Sequence, residues 1–213
     1  MQKWLLFFRP IQIAPSISKD DPINPPIMAY LVLTIASGLW SISQLSEAAI
    51  QKMGAVFYQL NLASIIFIEP FSPLIGAAFT HFAAKKILGL EGSLRRLVLL
   101  LYYAGFGNAV CRALLFSVPQ PAQETAAAPP QIVDGLSTPF QLFMVLIGFA
   151  IGLYSIYVTL RLTMDNYSVG LKAAVKIMIY SSLLLAVVVI ILMMVFMMGD
   201  LGHDILKQGS VNV

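Results

Sequence analysis

The chain has 213 residues, 59% of them hydrophobic and only 11% charged, with a formal net charge of +3 and a mean hydropathy of +0.84. So few charges cannot cover a globular surface in water but suit one that faces lipid, which excludes an ordinary soluble domain and points to an all-α, polytopic integral membrane protein. Nothing in the charge balance suggests a nucleic-acid partner.

Residues 1–26 open the chain with an apolar run, Trp4 to Phe8, closed by Arg9 and Pro10. It is too short for the apolar core of a signal peptide. Trp4, Phe7 and Phe8 beside Lys3 and Arg9 combine amphipathic rings with basic heads, so the segment reads as a foot lying in the cytoplasmic interface. A partner-docking motif is the other reading. Lys19 to Pro26, with its prolines and aspartates, reads as an extended linker into the membrane.

A hydrocarbon core about 30 Å thick needs roughly 20 helical residues per crossing. Five stretches meet that need, at about residues 27–45, 65–84, 96–117, 140–161 and 175–198, forming a membrane domain over residues 27–199. Between the first two, residues 46–61 mix Glu47, Gln51, Lys52 and Gln59 with apolar residues, the pattern of a short outer-surface helix. The second stretch is interrupted by Glu69, Pro70 and Pro73. A residue before proline is biased out of the helical region, so this span kinks there or begins afresh.

In the third stretch, Arg112 lies as far from Arg96 as Glu69 lies from Lys85, about 24 Å at 1.5 Å per residue. The two charges therefore reach similar depths on neighbouring antiparallel spans, a candidate outer-interface ion pair with Asn108 as a polar neighbour one turn below. A charge at that boundary must pair, snorkel or line a cavity, so the alternative is a polar substrate or proton site. The outer loop, residues 118–138, has no reason to fold alone.

The fourth stretch carries Gly148, Gly152, Ser155 and Thr159 on one face, a small-residue pattern that lets helices approach closely and marks a packing face. Tyr154, Tyr157 and Arg161 form a polar stripe on another. The fifth stretch ends in Met193, Met194, Met197 and Met198, which read as flexible apolar filler rather than soft-metal ligands. Residues 200–213 read as a short polar outer tail.

The basic residues orient this arrangement. Ten of the thirteen fall on one side of a five-span membrane, and short cytoplasmic loops are the ones enriched in Lys and Arg, so the amino terminus is expected inside and the carboxyl terminus outside. Dropping the interrupted span would put the Lys85 to Arg96 cluster on the same side as the Lys-free loop at 118–138 and lose the asymmetry. Lys85, Lys86, Arg95, Arg96, Arg161 and Lys172 are the cytoplasmic cations expected to meet anionic head groups or a partner.

No catalytic or cofactor motif is present: no phosphate-cradling glycine loop with its lysine, no His-Glu-x-x-His, no Gly-x-Ser-x-Gly and no intramembrane aspartate pair. The lone Cys111 excludes an intrachain disulfide, and His81 and His203 lie near opposite faces, too far apart to share a metal. The expectation is a non-enzyme without cofactor.

The order of features is similar to a known family. The piece FFRP at residues 7–10, the run HFAAKKILGLEGSLRRLVLLLYYAGFGN from His81, and the connection GLYSIYVTLRLTMDNYSVGLKAAVKIMI from Gly152 resemble the Yip (Ypt-interacting-protein) domain of five-span membrane proteins. The resemblance rests on the glycine-containing cytoplasmic turn Gly89 to Ser93, on Tyr103-Ala104 in the third span, and on Lys172-Ala173 opening the fifth. Gly107 and Asn108 stand where the family usually has a proline. Eukaryotic members bind Rab-type GTPases through a long cytoplasmic amino-terminal region. The compact form here resembles prokaryotic members, which implies a prokaryotic plasma (inner) membrane and brings no catalytic residues. The expected function is a non-enzymatic membrane scaffold or accessory subunit that packs against other membrane subunits or itself. The alternative is a small transporter or channel with a path near Glu69, Asn108 and Arg112.

Overall fold

The computed structural model describes residues 2–43, 58–59, 62–116 and 139–209. The outer helix expected at 46–61 falls outside them except for residues 58–59, which are helical, as does the loop 118–138. The described residues are helical with no strand. We number the long helices α1 (Asn24–Ser43), α2 (Ser64–Ile87), α3 (Leu94–Phe116), α4 (Pro139–Tyr167) and α5 (Leu171–Gly209). Among the described residues four stretches are long and apolar enough to cross a membrane, Ser64–Ile87, Leu94–Leu114, Leu142–Tyr167 and Leu171–Leu192.

Local chemistry explains where these helices begin and bend. Asn24 is followed by Pro25 and Pro26 in the first turn of α1, where a missing N–H costs nothing and the fixed φ suits the helix. In α2 the break at Glu69-Pro70 takes the form of a 3-10 turn, Glu69–Phe71, set between a π turn, Ser64–Ile68, and the α-helical stretch Ser72–Phe82. The helix bends through the proline instead of ending there. Beyond α2 the chain turns at Gly89, whose φ of +65° is a left-handed conformation that side chains disfavour. Ser93 then accepts the Arg96 backbone N–H at 3.2 Å, capping α3. At the other end of the chain, residues 200–209 of the expected polar tail are helical, as a continuation of α5.

Helix α3 is the centre of the bundle. Half of its membrane-length window is buried, against 6% for α4 and for α5. One side of α3 packs Leu97, Val98 and Tyr102 against Tyr30 of α1, Ala77 of α2 and Ile177 of α5. The other packs Leu99, Leu100 and Tyr103 against Val158 and Leu162 of α4 and against the amino-terminal segment.

That segment corrects the expectation of an interfacial foot. Leu6, Phe7, Ile13, Ala14 and Ile17 are buried, and Trp4 meets Tyr103 and Phe106 edge-on at centroid distances of 5.0 and 4.9 Å. Phe7 packs so closely on Gly107 that a Cβ there would overlap it, and its ring lies 5.2 Å from Tyr154, also edge-on. Gly107 is three turns beyond Arg96, about 16 Å along the helix. The chain rises to Phe8, whose carbonyl accepts the Tyr154 hydroxyl at 3.3 Å. It then returns through the turn Pro10–Ile13 to Ile17, beside Arg96. It is a hairpin wedged into the bundle, and its reach is set by the missing side chain at Gly107. Leu5, Phe8 and Ile11 form its exposed apolar outer side. Arg9, exposed at the turn, must reach water or a neighbouring acid if that turn is inserted in lipid.

Two charge contacts hold the hairpin at its base. Lys3 pairs with Asp21 at 2.6 Å. Arg96 donates four hydrogen bonds: Nε to the Ile17 carbonyl at 2.8 Å, Nη2 to the Ala14 carbonyl at 3.1 Å and to Asp165 Oδ2 at 2.5 Å, and Nη1 to the Asp165 carbonyl at 3.3 Å. One guanidinium thus ties α3, α4 and the hairpin together, so Arg96, expected to meet head groups or a partner, spends its donors inside the bundle.

Replacing Arg96 with Gln is expected to cost about 3 kcal/mol, because it leaves Asp165 and two carbonyls without their donor in a half-buried site. Arg95→Gln, at an exposed position, is expected to stay within about 0.5 kcal/mol. Thermal unfolding of the two variants in detergent checks the contrast. The hydrogen bond from Lys3 holds the Asp21 carboxyl below its usual range. A depressed folded-state value means this contact stabilises above the unfolded value of about 3.9 and is lost as pH falls through the lower folded value. Below about pH 4 Trp4 fluorescence should therefore report loosening of the hairpin, and Asp21→Asn should abolish that transition.

Candidate functional site

Where α2 and α4 diverge across the face of α3, a cavity of about 250 Å3 opens. Its floor is the α3 stripe Leu101, Ala104, Gly105 and Asn108, residues spaced three and four apart and therefore on one face. Ser72, Pro73 and Gly76 of α2 form one wall, and Ser155, Val158 and Thr159 of α4 the other, with Tyr30 and Phe7 reaching in from α1 and the hairpin. A Cβ added at Gly76 would meet nothing within 4 Å among the described residues, whereas one at Gly105 would lie 3.0 Å from the Tyr30 ring, so the open part of the groove is on the Gly76 side.

The polar groups in this groove are mostly engaged with their own helix backbones or with one another. The Tyr30 hydroxyl lies 3.4 Å from Ser72 Oγ, and Ser72 donates to the Glu69 carbonyl at 2.8 Å. The single Ser155 hydroxyl proton is shared between the Ile151 carbonyl at 2.8 Å and Asn108 Oδ1 at 3.3 Å. Thr159 donates to the Ser155 carbonyl at 2.9 Å. These back-bonds satisfy hydroxyls where water is scarce. The Asn108 Nδ2 group is the exception: no acceptor for it is found among the described residues. Closer to the Arg96 end, Thr80 and Ser181 lie 3.4 Å apart where α5 closes against α2, and His81 Nδ1 meets the Tyr167 hydroxyl at 2.9 Å.

The expected site residues fare unequally. Asn108, Ser155 and Thr159, expected on two separate features, meet in this groove. Glu69 and Arg112 do not form the expected ion pair. The ion pairs among the described residues are Lys3–Asp21 and Arg96–Asp165, while Glu69 and Arg112 are both exposed. Equal depth along two helices is not proximity, because each side chain points from its own helical face.

The α4 face also divides. Ser155 and Thr159 turn into the groove, whereas Gly152 is exposed, and a Cβ added there would meet nothing within 4 Å among the described residues; Gly148 is half-buried. Lys85, Lys86, Arg95 and Lys172 are exposed and Arg161 half-buried; Arg95 also donates to the Asp21 carbonyl at 3.4 Å. Cys111 is half-buried beside the hairpin cluster. No group of three or more metal-ligating side chains occurs among the described residues.

Tyr30 was missed at the sequence level, since a tyrosine inside an apolar run carries no periodic signal of its own. Asp165 was missed because it reads as one more charge in a connecting turn. In comparisons with known proteins, no family model, no curated protein and no solved structure matches the chain.

Ser155→Ala removes the hydroxyl that holds the Asn108 amide. It is expected to destabilise by about 0.6 kcal/mol, the average for hydrogen bonds between membrane helices. Asn108→Ala in the same background should add less than it does alone, and a double-mutant cycle of thermal unfolding in detergent measures that coupling.

Proposed function

We propose that the protein is a five-span integral membrane scaffold or accessory subunit, not an enzyme, that packs against another membrane subunit or a second copy of itself. The observation that carries this reading is the outer part of α4 and α5. Leu146, Phe149 and Leu153 of α4 and Val187, Ile190 and Ile191 of α5 are exposed, and Gly152, in the middle of the α4 set, has open space among the described residues where a side chain would stand. Lipid can cover apolar side chains, but a bare glycine on a membrane helix is where another helix backbone approaches most closely.

The orientation within this proposal, amino terminus inside and carboxyl terminus outside, is supported by the distribution of basic residues along the sequence. The exposed Lys85, Lys86, Arg95 and Lys172 support contact with anionic head groups on that inner face. Kinship with the Yip domain, and with it a prokaryotic inner membrane, is part of the proposal; its support is the residue pattern at 7–10, 81–108 and 152–179. The rival reading, a small transporter or channel near Glu69, Asn108 and Arg112, draws on the groove. It is disfavoured because the hydroxyls there are engaged with their own helices and with each other.

Purification of the tagged chain from its native membrane in mild detergent, with a stoichiometry measurement, tests the reading. A partner or second copy at fixed stoichiometry is expected. Gly152→Leu should abolish that association while changing stability by no more than about 0.5 kcal/mol. A wild-type chain that emerges monomeric and alone would sink the proposal and move attention to uptake assays in vesicles.

A further inference from the structure

The groove on α3 has an order of chemistry along it that helix packing does not require. Leu101 and Ala104 lie deepest, Gly105 and Asn108 follow, and one turn beyond Asn108 stands the exposed guanidinium of Arg112. At 1.5 Å per residue the cation is about 6 Å above the amide, and the apolar floor extends about 10 Å below it. A glycerophospholipid presents the complementary groups in the same order: a phosphate, ester carbonyls a few ångströms deeper, and then an acyl chain.

We propose that this groove seats one glycerophospholipid of the leaflet at the Arg112 end. Its phosphate is held by Arg112, an ester carbonyl by the Asn108 amide, and one acyl chain lies along Leu101 and Ala104 beside Gly76. Three observations fit this occupant. The Asn108 Nδ2 donor is left over after Ser155 has fixed the other side of the amide, and an ester carbonyl is an acceptor. The remaining hydroxyls are engaged, so the channel below Asn108 offers a chain mainly carbon and small residues. The space at Gly76 is open among the described residues, as a polymethylene chain between two helices requires. Glu69 adds a preference. Glu69 is exposed one turn before the groove residue Ser72, whose hydroxyl donates to its carbonyl at 2.8 Å, and a carboxylate there favours a head group carrying an ammonium beside its phosphate. Phosphatidylethanolamine meets that condition and phosphatidylglycerol does not.

This inference is independent of the scaffold reading, since it concerns a different face of the bundle. The purified, delipidated chain is incubated with dioleoyl-phosphatidylethanolamine or dioleoyl-phosphatidylglycerol, and bound lipid is counted by native mass spectrometry. One phosphatidylethanolamine is expected to survive at stoichiometry. Arg112→Gln, at an exposed position, should weaken its retention about tenfold or more, the effect of losing a charge-assisted hydrogen bond. Gly76→Leu should block the groove, and Glu69→Gln should remove the preference for phosphatidylethanolamine over phosphatidylglycerol. Thermal unfolding confirms that each variant is folded; should Gly76→Leu not fold, Asn108→Leu takes its place. A broad distribution of loosely held lipids, or retention unchanged in both Arg112→Gln and the groove-blocking variant, overturns the proposal. Stoichiometric binding without a preference between the two lipids overturns the role given to Glu69.

Discussion

The bundle depends on the guanidinium of Arg96. Two of its contacts are to carbonyls of the hairpin, at Ala14 and Ile17, and two are to Asp165 near the end of α4. The planar, multi-donor head of arginine can satisfy acceptors from two chain segments at once, which the compact ammonium of lysine does less well. Because Arg96 sits in the first turn of α3, these contacts set the height of both the hairpin and α4 relative to the central helix. Phe7 opposite Gly107, Tyr154 beside Phe8 and Ser155 beside Asn108 are consequences of that alignment three to four turns away.

The alignment also explains why a groove exists at all. At the Arg96 end the space between α2 and α4 is closed by α5, through buried Ala174 and Ile177 and the Thr80–Ser181 contact. Further along, α5 no longer covers it. Its residues from Leu183 to Leu192 are largely exposed, and the floor of α3 between Leu101 and Asn108 is made partly of alanine and glycine. Small residues that let helices approach closely also leave space where no helix arrives. The same bundle therefore offers two surfaces of different character: the bare glycine face of α4, suited to another helix, and the groove, suited to a flexible chain with a polar head.

Several features could be read directly from residue order. Helices follow from long apolar runs that must satisfy their own backbone hydrogen bonds in lipid, and the bend at Glu69-Pro70 follows from the missing N–H of proline. Asn108, Ser155 and Thr159 could be singled out because polar residues within apolar runs are few. Their meeting could not be read, because it depends on the rotation of two helices about their own axes. The Glu69–Arg112 expectation failed for that reason, since the count along each helix was sound and the direction of each side chain was unknown. The aromatic and basic pattern of residues 3–10 likewise fits an interfacial foot as well as it fits an inserted wedge. Only a glycine nearly a hundred residues later, at position 107, decides between them.

The sequence by itself determined the helical class, the apolar stretches of membrane-spanning length and the small set of polar residues available inside them, because these follow from composition and local backbone chemistry. The tertiary structure alone decided that the amino-terminal segment is buried, that Arg96 binds inward to Asp165 rather than outward to lipid, and that a groove remains on α3. Those outcomes depend on which helix faces meet and at what height, and contacts between residues distant in the chain are set by packing that no local pattern encodes.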